Sequence, residues 1–287
     1  MRTSLSCILL LSGCAFDVGD IPWFPVSPDG TGDVLLVGDS WAATVSDRSI
    51  DGVGLGTFQT VLEEQGLDTV GVRGASTTWA GRTAEFWARD PQIDAILTEL
   101  TSPPRVDYVH LILGGNDLLL AAQEADGDID AAELEAVADL VEDSIDHIVE
   151  TVLRATPHVR VAIADYEFLD TVAAADAGRP VPGLSLTETN EALVQIAHRK
   201  LAIADRHDGV EYHQNFGRVQ RAFLGDDTGP APGMAPDFDP LPGGDPTMGL
   251  PTEAHLGDGV HPNDKAHRVM IEAAVEDWYR PWIDGDR

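Results

Sequence analysis

The sequence predicts an α/β protein built on a doubly wound, mostly parallel five-stranded sheet with helices on both faces. Short apolar runs alternate with segments of helical periodicity from residue 33 onwards, which is typical of parallel sheets. Five such runs favour the strand order 2-1-3-4-5. The length of 287 residues and the content of 43% hydrophobic and 23% charged residues suit one large or two modest globular domains.

The five predicted strands cover residues 33–37, 68–72, 106–113, 159–164 and 210–213. The predicted helices cover residues 55–65, 86–100 (with a boundary at Pro91), 131–155, 188–205 and 261–282. The helix at 131–155 has the longest apolar stripe, formed by Leu134, Val137, Leu140, Val141, Ile145, Ile148 and Val152. Two connections interrupt the alternation, at 171–185 and at 225–257. The second is rich in Pro, Gly and Asp and precedes a candidate site, which favours a lid or pocket wall over a passive insertion.

The N-terminus reads as a targeting segment. Arg2 precedes an apolar run at residues 5–11 that is too short to span a bilayer. The run ends Leu11-Ser12-Gly13-Cys14, which resembles the lipobox of bacterial lipoprotein signal peptides. That resemblance implies cleavage before Cys14 and a diacylglycerol group on its sulfur. An ordinary secretory signal, or a buried strand with incidental cysteines, is the alternative.

This interpretation divides the chain into a signal peptide at 1–13, a lipidated Cys14 with a flexible tether to residue 32, and a folded domain at 33–287. Both cysteines of the chain lie in the targeting segment, so the folded domain would contain neither a thiol nor a disulfide. The predicted location is the bacterial cell envelope, outside the cytoplasm and attached to the membrane through Cys14.

The chain is strongly acidic, with 49 Asp and Glu against 18 Lys and Arg and a formal net charge of −31. Such a surface repels phosphate groups, so nucleic-acid binding is disfavoured. Solubility is the simplest interpretation of this charge.

Polar residues with catalytic potential follow several predicted strands. Gly38-Asp39-Ser40 follows the first strand, Gly74 the second, and Gly114-Gly115-Asn116-Asp117 the third. Because the carboxyl ends of parallel strands form the ligand crevice of a doubly wound sheet, Ser40, Gly74 and Asn116 are expected to converge there. Near the C-terminus lies Asp258-Gly259-Val260-His261. In this order the four blocks resemble the SGNH (GDSL-like) hydrolase family, over roughly residues 33–280.

Each block has a chemical role in this reading. Ser40 is the candidate nucleophile, His261 the base that takes its proton, and Asp258 the carboxylate that orients the imidazole. The resemblance implies that the backbone N–H groups of Ser40 and Gly74 and the side-chain amide of Asn116 stabilise the oxyanion. Asp39 and Asp117 are expected to hold the loops that carry Ser40 and Asn116.

The same residues also have alternative roles that are purely structural. Ser40 is also a suitable helix cap, Asn116-Asp117 an ordinary turn, and His261-Pro262 a helix start. Trp41 stands where GDSL-type motifs carry Leu or Ile, and it either walls the pocket or packs into the core. His255, His261 and His267 lack the carboxylate or thiol pattern that would complete a zinc site.

The sequence therefore predicts a serine esterase that needs neither metal nor cofactor. The resemblance to the SGNH family implies short acyl or acetyl esters of small molecules, carbohydrates or lipids as substrates. Acyl transfer to an alcohol by the same residues is one alternative, and a catalytically silent binding lipoprotein is another. The oligomeric state is left open.

Overall fold

A sheet of five parallel strands organises the part of the chain that the structure describes. The computed structural model describes residues 32–46, 54–125, 129–225 and 244–285. The strands are β1 (Asp33–Gly38), β2 (Val72–Arg73), β3 (Val106–Ile112), β4 (Arg160–Ala164) and β5 (Val210–His213). They pair in the order β2-β1-β3-β4-β5, all parallel, so the predicted fold class and strand order are confirmed. The predicted signal peptide, Cys14, residues 14–31 of the tether and residues 226–243 of the predicted loop lie outside the described residues.

The helices connect successive strands and cover both faces of the sheet. They are α1 (Ser40–Val45), α2 (Thr57–Glu64), α3 (Ala84–Trp87), α4 (Asp90–Thr101), α5 (Gly115–Glu124), α6 (Ala131–Ala155), α7 (Thr171–Asp176), α8 (Leu186–Arg206), α9 (Arg218–Leu224), α10 (Asp264–Ala274) and α11 (Arg280–Gly285). A wider π-helical turn, Val275–Tyr279, joins α10 to α11. No helix in the described ranges is long and apolar enough to cross a bilayer.

Alternate residues of the central strands pack into two separate cores. Leu35 and Val37 of β1 lie in one core, which also contains buried residues of α4, α6 and α8. Val34 and Leu36 lie in the other, with buried residues of α2, α10 and α11. Because successive side chains of a strand point to opposite faces, an entirely apolar strand such as β1 needs helices on both sides.

Several predicted elements have different bounds. The second strand was predicted at 68–72, but β2 begins at Val72 because Val70 donates its N–H to Leu67 in a preceding turn. The predicted helix at 86–100 is two helices, α3 and α4, which are separated before Pro91. The connection at 171–185 contains α7. The buried apolar stripe on α6 is narrower than predicted, because Leu140, one of its predicted members, is 43% exposed.

The predicted helix at 261–282 begins only at Asp264. His261 accepts a backbone hydrogen bond from Leu256 instead of entering the helix, and the Asn263 side chain caps α10 by accepting from the N–H of Ala266. Three helices that begin within five residues of a strand end, α1, α5 and α9, were not predicted. Ser40 lies at the start of α1 and Asn116 at the start of α5.

Candidate active site

Ser40 lies at the carboxyl end of β1, at the first residue of α1. Asp39 is the N-cap of this helix, and its Oδ1 accepts the backbone N–H of Trp41 at 3.0 Å. A Cβ at Gly38 would lie 2.3 Å from the carbonyl oxygen of Ile112, so only glycine allows this close approach to β3. The turn between strand and helix therefore fixes the Ser40 backbone tightly.

A tight turn before α10 brings Asp258 and His261 together. Oδ1 of Asp258 accepts the backbone N–H groups of Val260 at 3.1 Å and His261 at 2.9 Å. Gly259 has a φ of +67°, and a Cβ there would lie 2.0 Å from the carbonyl oxygen of Asp170. Glycine is therefore required both for the left-handed backbone and for packing against the start of α7.

Ser40, His261 and Asp258 form a continuous hydrogen-bond chain. His261 Nε2 lies 2.9 Å from Ser40 Oγ, and His261 Nδ1 lies 2.6 Å from Asp258 Oδ2. Partial burial opposes ionisation of Asp258, but hydrogen bonds from the His261 backbone and ring outweigh it and lower the pKa of the carboxyl group. An ionised Asp258 only accepts, so it selects the tautomer with the proton on Nδ1 and leaves Nε2 able to accept from Ser40.

Two further side chains, His255 and Trp41, fix the loop that carries His261. Nδ1 of His255 accepts the backbone N–H groups of Gly257 at 2.9 Å and Gly259 at 3.2 Å. The Trp41 indole donates to the carbonyl of Val260 at 3.2 Å. This bond ties the loop directly to the helix that carries Ser40.

Trp41 packs into the core and is 3% exposed. Its ring makes T-shaped contacts with the rings of Tyr166 and His267, whose centroids lie 5.0 and 5.8 Å away. Of the two roles left open for this residue, the structure favours core packing, and the indole N–H links the side chain to the loop that carries His261.

Asn116 lies in the first turn of α5, at the carboxyl end of β3. Its amide nitrogen donates to Asp39 Oδ2 at 3.2 Å and to the carbonyl of Arg82 at 3.0 Å. Asn116 is therefore linked to the turn that carries Ser40. Asp117 accepts the N–H of Ala84 at 2.8 Å, which anchors the start of α3.

Gly74 directly follows β2, the edge strand next to β1. It follows Arg73, the partner of Leu35, and a Cβ at Gly74 would meet Ser46, Leu36 and Thr78. On the β2 side, the last residue of β1, Gly38, bridges to Thr78. This position does not bring Gly74 next to Ser40 in the sheet register, and its role as an oxyanion donor stays a prediction.

One group of side chains in the described ranges has metal-ligand geometry. Asp146, Glu150 and His207 bring ligand atoms within 4.8 Å of one another, on α6 and just after α8. Asp146 already pairs with His207 at 2.6 Å and with Arg206 at 3.3 Å. The positive partner makes this group an ion-pair cluster, and it contains none of the triad residues.

A parallel sheet with a Ser–His–Asp chain at its carboxyl edge is the arrangement of a serine hydrolase. The chain belongs to the GDSL-like lipase/acylhydrolase family, whose family model matches residues 36–269. The predicted SGNH resemblance is thus confirmed, and the protein is an SGNH-type ester hydrolase. No curated protein is detectably similar in sequence.

Solved structures share the fold at low sequence identity. The lipase Lip_vut3 from a goat rumen metagenome has a TM-score of 0.53 at 12% identity, over 87% of this chain and 98% of that one. A carbohydrate esterase of family 3 from Talaromyces cellulolyticus has a TM-score of 0.51 at 14% identity, over 88% and 99%. A catalytic mutant of Axe2, an acetylxylan esterase from Geobacillus stearothermophilus, has a TM-score of 0.50 at 16% identity, over 86% and 95%.

Proposed function

We propose that this protein is a serine esterase that hydrolyses short acyl or acetyl esters through an acyl-enzyme on Ser40. The hydrogen-bond chain from Ser40 Oγ through His261 to Asp258 carries the proposal. Ser40 Oγ attacks the ester carbonyl while its proton passes to His261 Nε2. That proton then goes to the leaving alkoxide. A water molecule attacks the acyl-enzyme by the same route and releases the acid and Ser40.

An acetylated carbohydrate is the substrate class that we favour. Two of the structural neighbours described above are named as an acetylxylan esterase and a carbohydrate esterase. The net charge of −31 argues against polyanionic substrates, because a surface of that sign repels them. A lipid ester is the alternative class.

We also propose that the enzyme works outside the cytoplasm on a lipid anchor at Cys14. The support is the sequence Leu11-Ser12-Gly13-Cys14 after a basic and then an apolar segment. An anchored esterase would act on substrates of the cell envelope or of the surrounding medium.

The decisive experiment combines turnover with active-site labelling. We expect hydrolysis of p-nitrophenyl esters to decline from acetate to longer acyl chains, and a fluorophosphonate probe to label the wild type. Ser40→Ala should abolish both. Ser76→Ala, which removes a hydroxyl bonded to Glu99 after β2, should retain both.

Two results would contradict the proposal. Labelling of Ser40→Ala at the wild-type rate would exclude Ser40 as the nucleophile. Faster turnover on addition of an acceptor alcohol, with a new ester as the main product, would identify an acyltransferase instead of an esterase.

A further inference from the structure

Two donors from different strand ends converge on one oxygen atom of Asp39. The Tyr166 hydroxyl donates to Asp39 Oδ2 at 2.5 Å, and the Asn116 amide donates to the same oxygen at 3.2 Å. Tyr166 lies two residues beyond β4, whereas Asn116 follows β3 and Asp39 follows β1. Three neighbouring strands therefore meet at this carboxylate, one residue before Ser40.

Asp39 is a buried carboxyl group that needs these donors when it is ionised. It is 1% exposed, and burial raises its pKa from 3.8 to about 6. The hydrogen bonds from Tyr166 and from the Trp41 N–H act in the opposite direction, as do the charges of His261 and Lys200. At pH 8 Asp39 is an anion, and a buried anion without donors is costly.

The Asn116 amide is fully occupied in this arrangement. One of its two N–H bonds points to Asp39 and the other to the carbonyl of Arg82 at 3.0 Å. To donate to an oxyanion, Asn116 must release one of these acceptors. The bond to Asp39 is the longer one, and its acceptor has a second, shorter bond from Tyr166.

We propose that Tyr166 is a positioning residue, whose hydroxyl satisfies Asp39 so that Asn116 can turn an N–H to the oxyanion of the tetrahedral intermediate. This inference rests on the proposed esterase function. Without the Tyr166 hydroxyl, the Asp39 carboxylate holds Asn116 in place, and the transition state loses that donor.

The fold holds Tyr166 in a fixed place. A Cβ at Gly115 would lie 3.0 Å from Cζ of the Tyr166 ring, so the glycine before Asn116 is what admits the phenol. The Lys200 ammonium lies 4.8 Å from the centre of the Tyr166 ring. Burial and the Asp39 charge raise the pKa of Tyr166 well above its usual value, so the hydroxyl keeps its proton and remains a donor.

Tyr166→Phe at pH 8 tests the proposal, because it removes the hydroxyl and keeps the ring. We expect kcat to fall about 10- to 100-fold with KM unchanged, somewhat less than the loss of a whole oxyanion donor. Tyr212→Phe is the matched control, since Tyr212 is also a buried phenol that donates to a buried carboxylate, Asp165. Its kcat should stay within about twofold of the wild type.

A double-mutant cycle separates positioning from simple packing. In an Asp39→Asn background there is no charge to satisfy, so Tyr166→Phe should cost less than about twofold in kcat. Gly115→Ala should lower kcat in the same direction but by less, because its Cβ pushes the phenol by a few tenths of an ångström. It serves as the test if Tyr166→Phe does not fold.

An equal loss of kcat from Tyr166→Phe in both backgrounds would overturn the inference. A rise in KM with kcat unchanged would also overturn it. Both results leave the esterase proposal standing as long as Ser40→Ala is inactive. If Ser40→Ala were active, the esterase proposal would fail first, and the inference with it.

Discussion

Arg179 donates to the same oxygen atom of Asp258 that accepts the ring N–H of His261. Its Nη1 lies 3.0 Å from Asp258 Oδ2, and His261 Nδ1 lies 2.6 Å from that oxygen. Arg179 directly follows the C-terminal turn of α7, where its N–H bonds to the carbonyl of Ala174 at 2.8 Å. A fixed positive charge therefore competes with the imidazole for the triad carboxylate.

Arg179→Gln should raise kcat/KM modestly at low salt. The guanidinium repels the imidazolium that forms while His261 takes the Ser40 proton, so its removal favours that step. The side chain is 62% exposed, so solvent screens the effect. We expect an increase of less than about fivefold, roughly what an exposed ion pair supports.

Salt provides the check on this prediction. In about 0.5 M sodium chloride the kcat/KM values of the wild type and Arg179→Gln should converge, because exposed charges are screened. Arg154→Gln is the control, since it removes an exposed arginine that pairs with Glu150 on α6. An equal increase of kcat/KM in both variants would mean that net charge, and not contact with Asp258, is responsible.

Ser40→Ala and His261→Ala should be strongly non-additive. The 2.9 Å bond between Ser40 Oγ and His261 Nε2 makes the two side chains one unit for proton transfer. Each single variant should lose most of kcat, by roughly 10⁴- to 10⁶-fold, and the double variant should lose little more. Single-turnover kinetics with p-nitrophenyl acetate measures this. Losses that multiply would show that the residues act independently.

The fold was predictable where strands are buried and uniformly apolar. The pattern at β1, β3, β4 and β5 gave each strand to within one residue, because such runs are too short for helices and end at polar residues or glycine. The short helices α1 and α5 were missed, since Ser40 and Asn116 follow strands directly and six to ten residues carry little periodicity. Tertiary contacts with neighbouring strands determine them.

The site was predictable only in part. Ser40, Asp258 and His261 are short blocks in a recognisable order, and the structure brings their side chains together. Tyr166 and Arg179 carry no local signal, because each reaches the site from a different connection. The close approach to Gly115 is the feature that would have pointed to Tyr166, but sequence alone does not reveal which ring fills that space.

Glu167→Gln should change how stability depends on pH. Glu167 is fully buried and accepts the N–H groups of Gly217 and Val219 at 2.7 and 2.8 Å, which fixes the start of α9. Burial raises its pKa from 4.5 to about 7 despite those bonds. The folded state therefore binds the proton more tightly than the unfolded state, and wild-type stability falls as pH rises between these two values.

Glutamine does not titrate, so the variant lacks this pH dependence. The free energy of unfolding of the wild type minus that of Glu167→Gln should therefore fall by about 2 kcal/mol between pH 5 and pH 8. Urea unfolding at both pH values measures this difference, in which the other titrating groups cancel. Glu85→Gln, a half-exposed carboxylate paired with Arg89, is the control and should show no such trend. A difference that stays constant with pH would mean that Glu167 is ionised in both states at pH 5.

Cys14→Ser should prevent lipidation of the protein in a bacterial host. If Leu11-Ser12-Gly13-Cys14 is a lipobox, the mature wild type begins at Cys14 and fractionates with membranes. Two or three acyl chains give stable attachment, so a salt wash should leave the protein bound and detergent should release it. The acidic body cannot supply this attachment, since anionic headgroups repel it.

Cys7→Ser is the matched control and should leave lipidation intact. Mass spectrometry of the N-terminal peptide decides the matter: an unmodified N-terminus within residues 15–32 of freely soluble protein would indicate an ordinary secretory signal.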